Sequence, residues 1–381
     1  MIKISSKLPG VGTTIFTEIN RYVQQYHPIN LAQGFPGFAP DPSLINELGQ
    51  VKDKTAHQYA SLGGNTTLCE AIAEKTEKLY GRSYHPESEI TITAGATQAI
   101  FTILSAFVQK DDQVIVFKPA YDCYEPAIEL QGGKPVLIEM KAPNYQIDWE
   151  EVQQKITSKT RMIIINTPHN PTGTVLTKND LLQLQKITEG TNILILSDEV
   201  YEHIIFDHRI HQSVARFPKL AERSFITCSF GKTFHITGWK VGYCMAPKAL
   251  MAEYRKVHQF NVFCVHHPSQ KALGRYLQNP DHYLQLPSFF QEKRDFFLEA
   301  IQGSKFEFSP TQGTYFQTLS YRQLSDEKDT DYVIRLIKEK GLACIPVSAF
   351  TKNHQDDKML RFCFAKERDT LKKAAEIINS L

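Results

Sequence analysis

Seven short apolar or β-branched runs occupy the middle of the chain, at 90–94, 114–118, 136–140, 162–166, 193–197, 225–229 and 241–246. They are near-continuous rather than alternating, as expected of strands buried on both faces. Stretches of helical period, such as 96–107 and 178–188, separate most of them. Strand and helix in turn predict an α/β fold whose mostly parallel, seven-stranded sheet is covered by helices. The fifth-to-sixth connection is long enough for a helical crossover. Residues 231–240 are too few for one, so the seventh strand is expected to run antiparallel or to cross elsewhere.

Beyond about residue 280 the pattern changes. A charged helix is expected over 287–301, short strands at 307–309, 314–319, 343–346 and 360–364, and a last helix over 367–381. These elements predict a smaller α+β domain at 281–381, joined to a large domain at 41–280. The first forty residues carry Pro9, Gly10, Pro28, Gly34, Pro36 and Pro40, and predict an irregular segment packed on the small domain.

Composition narrows the function classes. The 43 basic and 41 acidic residues nearly cancel, so no field favours nucleic acid or an anionic membrane. No apolar stretch approaches membrane-spanning length, and Met1 to Lys7 lack the apolar core of a signal peptide. The seven cysteines are odd in number and form no CxxC pair, which predicts reduced thiols and a cytoplasmic protein. The histidines at 203, 208, 211, 266 and 267 have no cysteine partners at zinc spacing, so surface or packing roles are expected and no metal.

Ligands of an open parallel sheet bind outside the carboxyl ends of its strands. Unusual polar residues recur at those ends here. Gly95, Ala96 and Thr97 follow the first run, Tyr121 the second, and Asn166 through Gly173 the fourth. Asp198 to Tyr201 follow the fifth, and Ser229 and Lys232 the sixth. Singly, each has an ordinary explanation: a tight turn, a helix cap, a packed tyrosine, a β-turn. Five on one edge point to a single site. Lys232 carries the most information, because an amine at the end of a buried strand is costly unless paired, neutral or covalently bound. A lysine and an aspartate at the mouths of neighbouring strands are what a pyridoxal phosphate site needs: one forms a Schiff base, the other keeps the ring nitrogen protonated.

Two nucleotide-binding motifs fail on spacing. Gly231-Lys232-Thr233 looks like the end of a phosphate loop, but Ile226 stands where that loop requires glycine, and the acidic strand precedes it rather than follows. Gly10-Val11-Gly12 has Ile15 in place of the third glycine of a dinucleotide fingerprint. There is also no G-x-S-x-G elbow and no HExxH pair.

From about residue 10 to the C-terminus, the chain resembles the class I/II, fold-type I pyridoxal phosphate aminotransferases. Tyr59, Gly95 to Thr97, Tyr121, Asn170 to Gly173, Asp198 to Tyr201, Ser229, Lys232, Gly238 to Lys240 and Arg361 to Phe364 carry the likeness. Gln33 to Pro36, Thr167 to Pro171, Thr237 to Gly242 and Val257 to Gln259 bring it nearest the methionine and kynurenine branch.

The resemblance implies Lys232 as the catalytic lysine holding the cofactor and Asp198 beside its ring nitrogen. Tyr201 and Asn170 fall at the phenolic oxygen and Tyr121 on the ring face. Backbone of Gly95, Ala96 and Thr97, with Ser229 and Lys240, falls at the phosphate. Tyr59 matches a tyrosine that reaches the phosphate from a second subunit, which implies a homodimer with shared sites. Arg361 is implied as the anchor of the substrate carboxylate, aided by Asn170 and the backbone at Gly34. Phe16, Phe260 and Phe263 are implied around the substrate side chain, suiting methionine or an aromatic amino acid, with a 2-oxo acid as acceptor. Cys264 stands where kynurenine-type relatives often carry histidine, a departure that counts against kynurenine itself. The same cofactor chemistry also allows β-elimination from cysteine conjugates, and the fold alone allows a silent sensor of amino acids.

Overall fold

A computed structural model describes residue 2 and residues 4–381. Met1 and Lys3, part of the stretch inspected for a signal peptide, lie outside them. Among the described residues twelve strands form: β1 (Ile29–Asn30), β2 (Ile90–Thr93), β3 (Gln113–Lys118), β4 (Lys134–Glu139), β5 (Thr160–Asn166), β6 (Leu194–Asp198), β7 (Ser224–Ser229), β8 (Gly242–Met245), β9 (Phe316–Ser320), β10 (Leu342–Ala343), β11 (Ile345–Pro346) and β12 (Met359–Cys363).

The central sheet has seven strands in the order β2-β8-β7-β6-β5-β3-β4. Six run parallel and β8 runs antiparallel to both neighbours, as the short 231–240 connection requires. The central residues of β2, β3, β5, β6 and β7 are buried, which explains why those runs are continuous rather than alternating, whereas the edge strand β4 is mostly half-buried. Helices such as Gly95–Phe107 and Lys178–Thr188 supply the apolar faces that cover the sheet. From β3 the chain steps outward to β4, then returns across β3 to β5 and continues the other way through β6 and β7. That reversal opens a crevice at the carboxyl ends of the strands.

A second sheet of three antiparallel strands, β11-β12-β9, is packed with the helices Leu286–Ala300 and Arg368–Asn379. The expected strand at 343–346 is in fact two. Leu342 and Ala343 pair in parallel with Ile29 and Asn30, whereas Ile345 and Pro346 join β12, with Cys344 between the two pairings. Residues 307–309 form no strand, only a bridge from Glu307 to Ser320.

The first forty residues are less irregular than expected. Ile15–Tyr26 is a helix of 12 residues, capped by the Thr14 hydroxyl accepting from the Thr17 amide and ended by His27 at φ 49°. Glycines and prolines flank it, and its apolar positions Ile15, Ile19, Tyr22 and Val23 pack on the core. Among the described residues no helix is long and apolar enough to cross a membrane. All seven cysteines are free. His203 and His211 are buried, one beside Lys75 and Glu202, the other beside Glu199.

Candidate active site

Each strand end delivers its polar residue to one cavity. Gly95, Ala96, Thr97, Tyr121, Asn170, Asp198, Tyr201, Ser229, Lys232 and Lys240 all line it. Lys232 lies in the short helix Phe230–Thr233 that follows β7, and its Nζ donates to the carbonyl of Gly34 at 3.0 Å. Burial lowers its pKa to about 8, and the nearby charges of Arg361 and Lys240 push the same way. A fraction of the amine is therefore neutral at physiological pH.

Asp198 ends β6, opposite Asn166 on one side and Thr227 on the other. It is 3% exposed. Its Oδ2 accepts from the Tyr124 hydroxyl at 2.6 Å and its Oδ1 from the Val200 amide at 3.3 Å. Burial raises the carboxyl to about 6, and these neutral donors only partly oppose it. Asn166 fixes the neighbouring loop: its amide donates to the Asp198 carbonyl, and its oxygen accepts from the Asn170 amide.

Gly95 opens the helix Gly95–Phe107 at φ +78°, a conformation that favours glycine, and no side chain caps that end. A Cβ at Gly95 would come 3.1 Å from the Lys240 amine, so backbone amides and a cation meet at one point. Behind the turn carrying Tyr201, Glu202 accepts from Lys75, Tyr80 and Tyr243 in a wholly buried cluster. That cluster ties the turn to the helix Thr66–Tyr80.

Arg361, in the middle of β12, is 1% exposed. Its Nη1 donates to Asn170 Oδ1 at 2.8 Å and its Nη2 to the Ala32 carbonyl at 3.2 Å, while Nε is buried without a partner. Burial depresses its pKa from the ordinary arginine value. The guanidinium lies 4.0 Å from the Phe316 ring centre, 5.3 Å from Phe350 and 5.5 Å from Phe16. Arg361 does not line the cavity itself: it meets the lining through Asn170, with Phe16 against its guanidinium, and Gly34 meets the lining through Lys232.

Three more of the expected residues lie outside the cavity lining. Tyr59 is 81% exposed and Phe260 87%, and Phe263 packs edge-on against Tyr59 instead. None lines the cavity of its own chain. Tyr124, Tyr315, Phe316 and Phe350 do not line the cavity but contact Asp198, Gly34 or Arg361, and the sequence singles out none of them. Tyr124 opens the helix Tyr124–Leu130 three residues after Tyr121 and packs edge-on against it. The other three come together only through the tertiary fold.

The family model for aminotransferases of class I and II matches residues 26–378. The methionine aminotransferase of Escherichia coli is 45% identical over 99% of this chain and 98% of its own length. The chain belongs to the class I and II aminotransferases. A crystal structure of an Escherichia coli protein identified as a methionine aminotransferase superposes with a TM-score of 0.98, at 44% identity and full coverage of both chains. N-Succinyldiaminopimelate aminotransferase of Mycobacterium tuberculosis gives 0.94 at 31% identity, covering 99% of this chain and all of that one. Mouse kynurenine–oxoglutarate transaminase 1 is 32% identical over 96% of this chain and 94% of its own length.

Aminotransferases of this fold type use pyridoxal 5'-phosphate, and the residues present fit it. Asp198 is a buried carboxylate hydrogen-bonded by neutral donors alone, which suits a protonated ring nitrogen. Lys232 is an amine whose pKa permits a nucleophile. The uncapped helix start beside Lys240 suits a phosphate.

Proposed function

We propose that this aminotransferase moves the amino group of methionine or an aromatic amino acid to a 2-oxo acid, as a cytoplasmic homodimer. The observation that carries the substrate class is the setting of Arg361. Its guanidinium is ringed by Phe16, Phe316 and Phe350, so a carboxylate bound there would have apolar walls rather than a second cation beside it. The likeness to a relative named for methionine supports the same reading.

Pyridoxal phosphate, when bound, supplies an aldehyde for an amine to join and a ring that takes up the electron pair left by the departing α-proton. Lys232 would hold the cofactor and, with its amine freed, would carry the proton away from the substrate α-carbon. Asp198 would keep the ring nitrogen protonated from within a buried site. Tyr201 and Asn170 would serve the phenolic oxygen, and Tyr121 the ring. The Gly95–Thr97 amides, Ser229 and Lys240 would hold the phosphate. Arg361 grips the α-carboxylate with its planar fork, including the unpartnered Nε, helped by Asn170 and Gly34.

The exposure of Tyr59, Phe260 and Phe263 supports the dimer, in which the partner subunit's Tyr59 would reach the phosphate and both phenylalanines would complete the substrate wall. The domain division belongs to the same proposal: 1–40 on the small domain, 41–280 binding the cofactor, 281–381 carrying Arg361.

A donor-by-acceptor panel on the loaded protein tests the reading. Methionine and phenylalanine are expected to exceed aspartate as donors by at least about tenfold in kcat/KM, since one missed apolar contact alone is worth roughly 1–3 kcal/mol. Aspartate as the best donor would overturn the substrate class. Pyruvate release from S-substituted cysteine that outruns amino transfer with every donor would replace transferase by lyase.

A further inference from the structure

Two donors converge on one backbone oxygen. Lys232 Nζ and the Tyr315 hydroxyl both donate to the Gly34 carbonyl, at 3.0 and 2.9 Å. The Lys232 amine lies 6.0 Å from the Tyr315 ring centre and 6.0 Å from that of Tyr201. The Tyr315 ring packs edge-on against Tyr201 and Phe316 and tilted on Phe290, contacts that a phenylalanine would make equally well. Its hydroxyl is what packing does not require.

Gly34 sits in a strap whose two ends are fixed. The Leu31 amide donates to the Ala343 carbonyl and the Leu31 carbonyl accepts from the Cys363 amide, while the Gly37 amide donates to the Ala365 carbonyl. Between these anchors, the Tyr315 hydroxyl and Lys232 are the donors to the Gly34 carbonyl. A carbonyl oxygen has two lone pairs, so the two donors saturate it and hold its direction. A neutral amine has two N–H bonds and one lone pair. With one N–H tied to a fixed oxygen, the lone pair is confined to the remaining directions, which face the cavity.

We propose that Tyr315 is a positioning residue for the proton transfer: through the Gly34 carbonyl it aims the free Lys232 amine at the substrate α-carbon. The inference rests on the assignment of Lys232 above. In the step, the Nζ lone pair takes the α-proton and the C–H electron pair stays with the substrate–cofactor framework. The ammonium keeps one N–H on Gly34, then returns a proton to that framework one carbon away, which restores the neutral amine. Atoms and electrons balance with no further reactant.

The test is Tyr315→Phe in the full-length protein. Misaiming the amine is expected to lower kcat about tenfold, well inside the hundredfold that a displacement of about 1 Å can cost. KM for methionine stays near wild type, and the primary isotope effect with α-deuterated methionine rises as proton transfer becomes slower. A second readout needs no turnover: cofactor-free Tyr315→Phe should take up pyridoxal phosphate about tenfold more slowly, by absorbance, yet load to the same extent. A wild-type isotope effect and a wild-type uptake rate would overturn the proposal. So would incomplete loading with a lower Tm and an unchanged isotope effect, the signature of a structural tyrosine. Should Tyr315→Phe not fold, Gly34→Ala displaces the same oxygen, because its methyl would meet the Phe316 ring at 2.8 Å, and the same isotope effect is expected. Borohydride reduction of the loaded wild type separates the two readings. A tag on another amine removes the Lys232 assignment and this inference with it, whereas a tag on Lys232 with unaltered Tyr315→Phe kinetics removes the inference alone.

Discussion

Tyr124 donates a hydrogen bond from its hydroxyl to Asp198 Oδ2 at 2.6 Å, so the carboxylate proposed to face the ring nitrogen is itself held from behind. Both residues are buried, and a hydrogen bond to a charged group there is worth about 1.5–3 kcal/mol. Tyr124→Phe is expected to reduce kcat/KM for methionine about tenfold and to weaken cofactor retention on dialysis. Normal values for both would show that Asp198 needs no support from that side.

Asp198 should trade stability for activity. Its folded pKa, raised from 3.8 to about 6, means the native state binds the proton more tightly than the unfolded chain. Stability of the cofactor-free protein therefore falls as pH rises from about 4 through about 6, and stays lower above that. At 1.36 kcal/mol per pKa unit the cost at neutral pH is up to about 3 kcal/mol. Asp198→Asn should recover part of it in urea unfolding of the cofactor-free protein while losing at least about a thousandfold in kcat. A variant both less stable and fully active would contradict both roles.

Arg361→Lys should not behave as a conservative change. A lysine keeps the charge but cannot reproduce the fork that spans Asn170, Ala32 and a carboxylate. Steady-state kinetics should show kcat/KM down by about a hundredfold, or roughly 3 kcal/mol, with KM carrying much of the loss. Equal efficiency in Arg361→Lys would make the arginine a structural cation.

Attachment of the cofactor should follow the Lys232 amine. Only the neutral form attacks an aldehyde, and burial sets its pKa at about 8. The rate at which cofactor-free protein takes up pyridoxal phosphate should climb with pH and level off above about 8, as followed by absorbance. Lys232→Ala should show no covalent uptake at any pH. A pH-independent rate would mean that another step governs attachment.

The sheet and the strand-end chemistry were readable because both are local. A strand buried on two faces betrays itself by unbroken hydrophobicity, and Asp198 and Lys232 stand immediately after such runs. The helix Ile15–Tyr26 was hidden by glycines and prolines on either side of it. The split at Cys344 was invisible because the pairing partner of β10 lies more than three hundred residues away. Tyr315 and Phe350 reach the site from distant turns, and no spacing rule connects them to Lys232. Tyr59, Phe260 and Phe263 stand apart from their own cavity, a placement that a single chain's sequence does not encode.

Strand β1 has a practical consequence. It zips onto β10, and the two residues after it receive hydrogen bonds from Cys363 and Arg361. The amino-terminal segment is therefore wired to Arg361, the proposed anchor for the substrate, some 330 positions downstream. Trimming the protein back to its first long strand, a natural choice for an engineer seeking a minimal catalyst, would cut the backing from that arginine.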